Sequence, residues 1–199
     1  MALCALRFEH DMTATLVSNW FQDNCSIDIS RVYGILDAEA TWIRKDNTPR
    51  SEAFMAVDIA MRYSYGKANN RRFYDASYMH PLVESLRQVL NRDNSYNICV
   101  LNRYTDRFQH LGWHADDSPE QDPSHPICVV SFGAARYIYT KPQGDKGSGD
   151  KFLLTPGSLF IMPPGMQETH YHKIPKHDQD CGGRISLTFR KLDSHIPID

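Results

Sequence analysis

The 199-residue chain lacks the signals of several protein classes. It has no Cys-x-x-Cys pair, and its five cysteines (Cys4, Cys25, Cys99, Cys128, Cys181) are scattered and odd in number. Neither a disulfide framework nor a cysteine zinc site is indicated, and the thiols read as reduced. No apolar run approaches the roughly 18 to 20 residues that span a bilayer, and the start MALCALRFEH has neither the basic region nor the long apolar stretch of a signal peptide. A cytoplasmic protein with no membrane partner is expected, the nucleus being open to it in a eukaryote. Positive charge is not in excess: 22 Lys and Arg stand against 24 Asp and Glu, for a net charge of -2. That weighs against a protein that coats duplex nucleic acid and confines any such contact to a local patch. No repeat, low-complexity tract or linker marks a boundary, so one domain over 1–199 is expected, acting as a monomer. What is present, 41% hydrophobic, 11% aromatic and 23% charged residues, fits a globular protein with a useful core.

Met12, Leu16 and Trp20 recur every fourth residue in MTATLVSNWFQDN, with Val17 and Phe21 beside them, which predicts an amphipathic helix. A second helix is predicted where Pro81 can occupy a first helical position and Leu82, Leu86, Val89 and Leu90 line one face. From Tyr96 the period shortens. YNICVLNRY, ICVVSF, ARYIYT, KFLL, GSLFIM and RISLTFR read as strands separated by turn-rich segments. The fold class is therefore mostly β with flanking helices, a sandwich or barrel buttressed on one side.

Gly112-Trp113-His114-Ala115-Asp116-Asp117 carries the densest chemistry. In extended chain His114 and Asp116 share a face, and a histidine from a distant strand would complete a two-histidine, one-carboxylate triad suited to non-haem Fe(II). His170 and His172 are both candidates for that third place, since they share a face of one strand. In RISLTFR, Arg184 and Arg190 point the same way as Ser186 and Thr188. Either that face meets an anion inside the barrel, where bidentate guanidinium contacts would satisfy a dicarboxylate, or it is solvent-exposed. Asn102 and Tyr104 offer an amide and a phenol two residues apart.

Together, Asn102-Arg103-Tyr104, His114-Ala115-Asp116-Asp117, the run from Val130 to Arg136, Gly157-Ser158-Leu159, His170-Tyr171-His172 and the closing RISLTFR resemble the AlkB family of Fe(II) and 2-oxoglutarate-dependent dioxygenases. Order and spacing match over about half the chain, most nearly the animal DNA-repair branch. The resemblance implies a double-stranded β-helix (jelly-roll) core over 96–192, with N-terminal helices and a nucleotide-recognition lid over 1–95. It assigns Fe(II) to His114, Asp116 and His172, and 2-oxoglutarate to Asn102, Tyr104, Arg184, Thr188 and Arg190, with O2 as the further cosubstrate. Arg184 would meet the distal carboxylate and Arg190 the metal-chelating end.

The lid of that family sandwiches an extruded base between aromatic residues. Pro49-Arg50 followed by Arg62-Tyr63-Ser64-Tyr65-Gly66 resembles it, which nominates Arg50, Tyr63 and Tyr65 for substrate. Arg44, Lys45, Lys67, Arg71 and Arg72 make the stretch locally basic, as single-strand binding requires; a packed tyrosine face and a solvated charged face are the plainer readings. Ser118 stands where repair members usually carry an acidic residue against the damaged base, with Asp117 or Glu120 as candidate substitutes, so Asp117 and Ser118 join the substrate set, and preference for cationic lesions is open. The implied activity is oxidative removal of N-alkyl groups, such as those of 1-methyladenine or 3-methylcytosine, from single-stranded DNA or RNA. The alternative is a hydroxylase or demethylase of the same chemistry acting on a protein or small molecule.

Overall fold

A computed structural model describes residues 12–45, 48–65, 72–90 and 95–193, with the side chains of 65, 72 and 73 left out. The core is built from two facing sheets. One holds, in spatial order, β1 (Thr15–Val17), β11 (Leu159–Met162), β8 (Ile127–Gly133), β13 (Arg184–Arg190), β6 (Ile98–Tyr104), β2 (Ser51–Ala56) and β5 (Ser77–Tyr78). The other holds β10 (Asp150–Leu154), β9 (Arg136–Pro142), β12 (His170–Ile174) and β7 (Leu111–His114). A separate hairpin pairs β3 (Arg62–Tyr65) with β4 (Arg72–Asp75), placing Tyr63 opposite Tyr74.

Three helices cover the outer face of the seven-stranded sheet: α1 (Trp20–Asn24), α2 (Ile29–Glu39) and α3 (Pro81–Leu90). Trp20, Phe21, Val32, Leu36, Val83 and Leu86 pack there against Leu101, Val130, Ile185, Leu187 and Phe189. Asp28 caps α2 by accepting the Ser30 N–H at 3.0 Å, the role short carboxylates fill at helix starts. Pro81 does open a helix. A second cluster, including Tyr104, Val129, Ile138, Phe160 and Ile174, fills the space between the two sheets. The jelly-roll expected for the chain is this pair of sheets.

Two sequence expectations change. The helix read across Met12–Asn24 is a strand, a turn and a short helix: β1 pairs with β11, and Asn19 adopts a left-handed φ of 57° before α1 begins. Thr13, Thr15 and Val17 favour the strand, and pairing with the exposed edge of β11 overrides the four-residue apolar spacing. The solvent-exposed alternative for RISLTFR also falls, because every residue of β13 is buried between β8 and β6. Gly133 at the end of β8 shows why that strand must turn sharply: φ is +83°, and a Cβ there would lie 2.3 Å from the Gly183 carbonyl oxygen. Only glycine lets the chain entering β13 approach so closely.

Candidate active site

The site lies between the sheets, at the end where β7 and β12 meet β6 and β13. His172 pairs with His114 across β12 and β7, which sets their rings 4.0 Å apart. Asp116 follows β7, its backbone N–H held by Gln167 Oε1 at 2.9 Å. His114 Nε2 is 3.5 Å from Asp116 Oδ1 and His172 Nε2 is 3.7 Å from Asp116 Oδ2. One ligand atom from each residue lies within 4.8 Å of the others, a spacing that one ion can bridge. His114 Nδ1 donates to the Gly112 carbonyl at 2.9 Å, which leaves Nε2 as the lone-pair nitrogen. Burial, with help from His114, holds His172 down to about 3 despite the Asp116 charge. Burial opposes the charge on Asp116, but Arg190 and the two imidazoles outweigh it and hold the carboxyl well below the usual range. Neutral imidazoles and an ionised carboxylate are the forms a metal needs. His170 takes no part in the cluster; its Nδ1 meets Thr169 Oγ1 at 2.8 Å.

Five residues nominated for the cosubstrate, Asn102, Tyr104, Arg184, Thr188 and Arg190, are buried on β6 and β13. Arg190 Nη2 pairs with Asp116 Oδ2 at 2.7 Å and Nη1 donates to the Tyr63 hydroxyl. Arg184 donates from Nη2 to Ser131 Oγ at 2.9 Å, yet among the described residues its Nε and Nη1 meet no acceptor of hydrogen-bond geometry. Arg184 and Arg136 flank the Tyr104 ring at 5.4 and 5.5 Å. Burial brings Arg184 down to about 10. A buried guanidinium with orphaned donors beside a second cation is the environment an anion would complete. The residues present therefore fit a dicarboxylate as well as a metal.

Arg50 is buried and faces Asn102 and Glu52 rather than solvent. Its Nε donates to Asn102 Oδ1 at 2.6 Å, and its Nη2 pairs with Glu52, whose second oxygen accepts the Tyr74 hydroxyl. Because the Asn102 carbonyl is engaged, its amide N–H groups are left to donate into the cavity. That cavity, of about 30 Å³, is also lined by Tyr63, His114, Asp116 and Arg190. Tyr63 is 3% exposed and stacks on Phe54 with ring centroids 5.7 Å apart. Tyr65 ends β3, and its side chain, like Lys67 and Arg71, lies outside the described residues. Ser118 Oγ donates to the Ser64 carbonyl, and Glu120 Oε1 accepts the Ser64 N–H at 2.8 Å, so the loop after the metal ligands clasps β3. Asp117 is exposed and, with Ser118, His125, Gln167 and Glu168, lines a second cavity of about 260 Å³ abutting Asp116. Glu52, Tyr74, Arg136 and Gln167 escaped the sequence reading, whereas Glu120, open to it as a substrate carboxylate, is buried against β3. Only Arg136, within the Val130–Arg136 motif, carried a signal that could have found it.

Residues 30–190 match the 2OG-Fe(II) oxygenase superfamily, and the chain belongs to that family, whose members use Fe(II), 2-oxoglutarate and O2. Within it the chain is of the AlkB type. It is 33% identical over 124 residues to the mouse DNA oxidative demethylase ALKBH2, covering 56% of this chain and 52% of that protein. It is 27% identical over 164 residues to the human alpha-ketoglutarate-dependent dioxygenase alkB homolog 3, covering 77% and 56%. The chain thus spans about half the length of these relatives. A solved structure of OsALKBH1 superposes with a TM-score of 0.61 at 19% identity, over 89% of this chain and 97% of that one, a likeness of fold.

Proposed function

We propose that the chain is an Fe(II)- and 2-oxoglutarate-dependent dioxygenase that oxidatively removes N-alkyl groups, such as those of 1-methyladenine or 3-methylcytosine, from single-stranded nucleic acid. The observation that carries this reading is the juxtaposition of His114, Asp116 and His172 with a buried Arg184 whose Nε and Nη1 lack an acceptor among the described residues. When bound, the metal with 2-oxoglutarate and O2 supplies oxidation of an N-alkyl carbon, with release of an aldehyde, succinate and CO2.

The chain's own part is to bind and orient. His114 and His172 present imidazole nitrogens, and Asp116 presents a carboxylate, to one point. Arg184 pairs with the distal carboxylate of the cosubstrate, and the Asn102 amide, turned by Arg50, donates to it. Arg190 steadies Asp116 and lies beside the chelating end, while Thr188 and Tyr104 line the same wall. Tyr63 closes the cavity from above and keeps water from it. Names of relatives support nucleic acid as the substrate class, and Asp117 offers an exposed carboxylate in the cavity that abuts Asp116. Ser118, with its hydroxyl committed to Ser64, orders the lid strand rather than neutralising a cationic base.

The test is mass spectrometry of short single-stranded DNA and RNA carrying 1-methyladenine or 3-methylcytosine, incubated with protein, Fe(II), ascorbate and 2-oxoglutarate. Loss of one methyl group with the intact protein and none with His172→Ala is expected. Conversion of 2-oxoglutarate to succinate with every oligonucleotide untouched would leave the oxygenase chemistry standing and remove nucleic acid as the substrate.

A further inference from the structure

The four-stranded sheet has two chemically opposite faces. Alternation turns His172 and Ile174 of β12 inward with Ile138 and Thr140 of β9. The outward positions carry Trp113, Tyr137, Tyr139, Lys141, Lys151 and Lys173, partly or fully exposed. Lys141 and Lys173 hold their ammonium groups 4.7 and 4.4 Å from the Trp113 ring centroid. Lys173 also lies 5.1 Å from the Tyr139 ring, and Lys151 lies 4.9 Å from the Tyr137 ring. Among the described residues none of these three lysines has a carboxylate at ion-pair distance. Lys141 additionally donates to the Asp145 carbonyl at 2.7 Å.

On a chain of net charge -2, a sheet face made of rings and unpaired cations calls for a polyanion with flat apolar groups. Phosphates can take the ammonium groups off the rings, and bases can then stack where the lysines lay. Acidic peptides offer the charge without the stacking, and lipid headgroups offer no planar partner. The face also meets the candidate site at an edge: β7 ends its sheet, and Trp113, directed outward, precedes His114, directed inward.

We propose that the outer face of β7, β12, β9 and β10 binds the stretch of single-stranded nucleic acid that flanks the reacting nucleotide, with the lysines on phosphates and the aromatic residues under bases. The proposal rests on nucleic acid being the substrate class. It makes affinity depend on strand length, while leaving the chemistry at the metal to the inner face.

Binding of a fluorescent, unmodified 15-nucleotide oligothymidylate is measured across NaCl concentrations for the full chain and for K141Q/K151Q/K173Q, with circular dichroism to establish that both are folded. Each phosphate contact on a single strand contributes about -0.7 to the slope of log K against log salt, so the triple variant should lose about 2 from the magnitude of the slope. At low salt its affinity should fall roughly tenfold or more. Y139A, which keeps the charges, should weaken binding with the slope intact. Equal affinity and slope in the triple variant, or displacement of the oligonucleotide by poly-glutamate at equal charge concentration, would overturn the proposal. Turnover of a methylated trinucleotide, which carries a single nucleotide on each side of the reacting one, separates the two readings. Equal turnover by both proteins alongside the slope change supports both; absent turnover with the slope change retained removes the demethylase reading and leaves the surface.

Discussion

A guanidinium with unpaired donors in a dry interior is costly to the free protein, and Arg184 is such a group. Replacing it by methionine removes the unsatisfied charge while keeping much of the volume, so the ligand-free Arg184→Met protein should melt at the same temperature as the parent or higher. The same change should weaken 2-oxoglutarate binding by roughly 10- to 150-fold, the worth of charge-assisted hydrogen bonds of about 1.5–3 kcal/mol. Calorimetric titration of the Mn(II)-loaded proteins reads the second effect and thermal melting the first. A parallel contrast separates the two neighbouring histidines. His172→Ala should abolish tight binding of Mn(II), whereas His170→Ala should leave it unchanged, because only His172 joins the cluster with His114 and Asp116. Two-residue periodicity could not distinguish them, since both lie on one face of the strand; register against β7 does, by setting His172 opposite His114. The thiols give a third contrast. Burial pushes Cys128 up to about 12 and Cys99 well above its ordinary value, so at pH 8 iodoacetamide should spare both and label the partly exposed Cys181, as peptide mass spectrometry of the native protein would record.

The β3–β4 hairpin is joined to the cavity by the two tyrosines that face each other across it. Tyr63 reaches Asp116 through Arg190, and Tyr74 reaches Asn102 through Glu52 and Arg50. Arg50→Lys keeps a positive charge beside Glu52 but loses the rigid fork that also engages Asn102. Its Michaelis constant for 2-oxoglutarate should rise about fivefold to tenfold, for a lost hydrogen bond of about 1–1.4 kcal/mol, with kcat changed less; steady-state succinate release gives both. None of this wiring was legible beforehand. Arg50 and Tyr63 were visible as a motif, but Glu52 and Tyr74 sit in runs with no distinguishing period, and all six residues of β2 are buried, so that strand shows no alternation. The C-terminal strands were readable because each pairs an alternating or continuous apolar run with turn residues at both ends. α2 was not, for only Val32 and Leu36 of its eleven residues are buried and Gly34 interrupts the pattern. The spacing of Met12, Leu16 and Trp20 misled because Met12 precedes β1, Leu16 lies within it and Trp20 begins α1.

At the scale of the molecule, the metal-ligand cluster belongs to one sheet and most of the anion-facing wall to the other. Ligands held between the layers therefore stabilise the whole fold rather than a loop. With Mn(II) at about 100 times its dissociation constant, the gain should be about 2.7 kcal/mol. At about 2–4 °C per kcal/mol for a chain of this size, the melting temperature should rise by roughly 5–11 °C. Addition of a chelator should return it to the ligand-free value.

Strand β13 has one more consequence. Arg184 is proposed to hold the distal carboxylate and Arg190 holds the metal ligand Asp116, and they sit on a single unbroken strand clamped on both sides by β8 and β6. Six residues of extended chain fix their Cα atoms about 20 Å apart, and neither neighbour allows that span to stretch. The strand is a gauge: with both arms turned inward it admits a diacid of one length, so the four-carbon and six-carbon homologues of 2-oxoglutarate should be measured and rejected by the backbone itself.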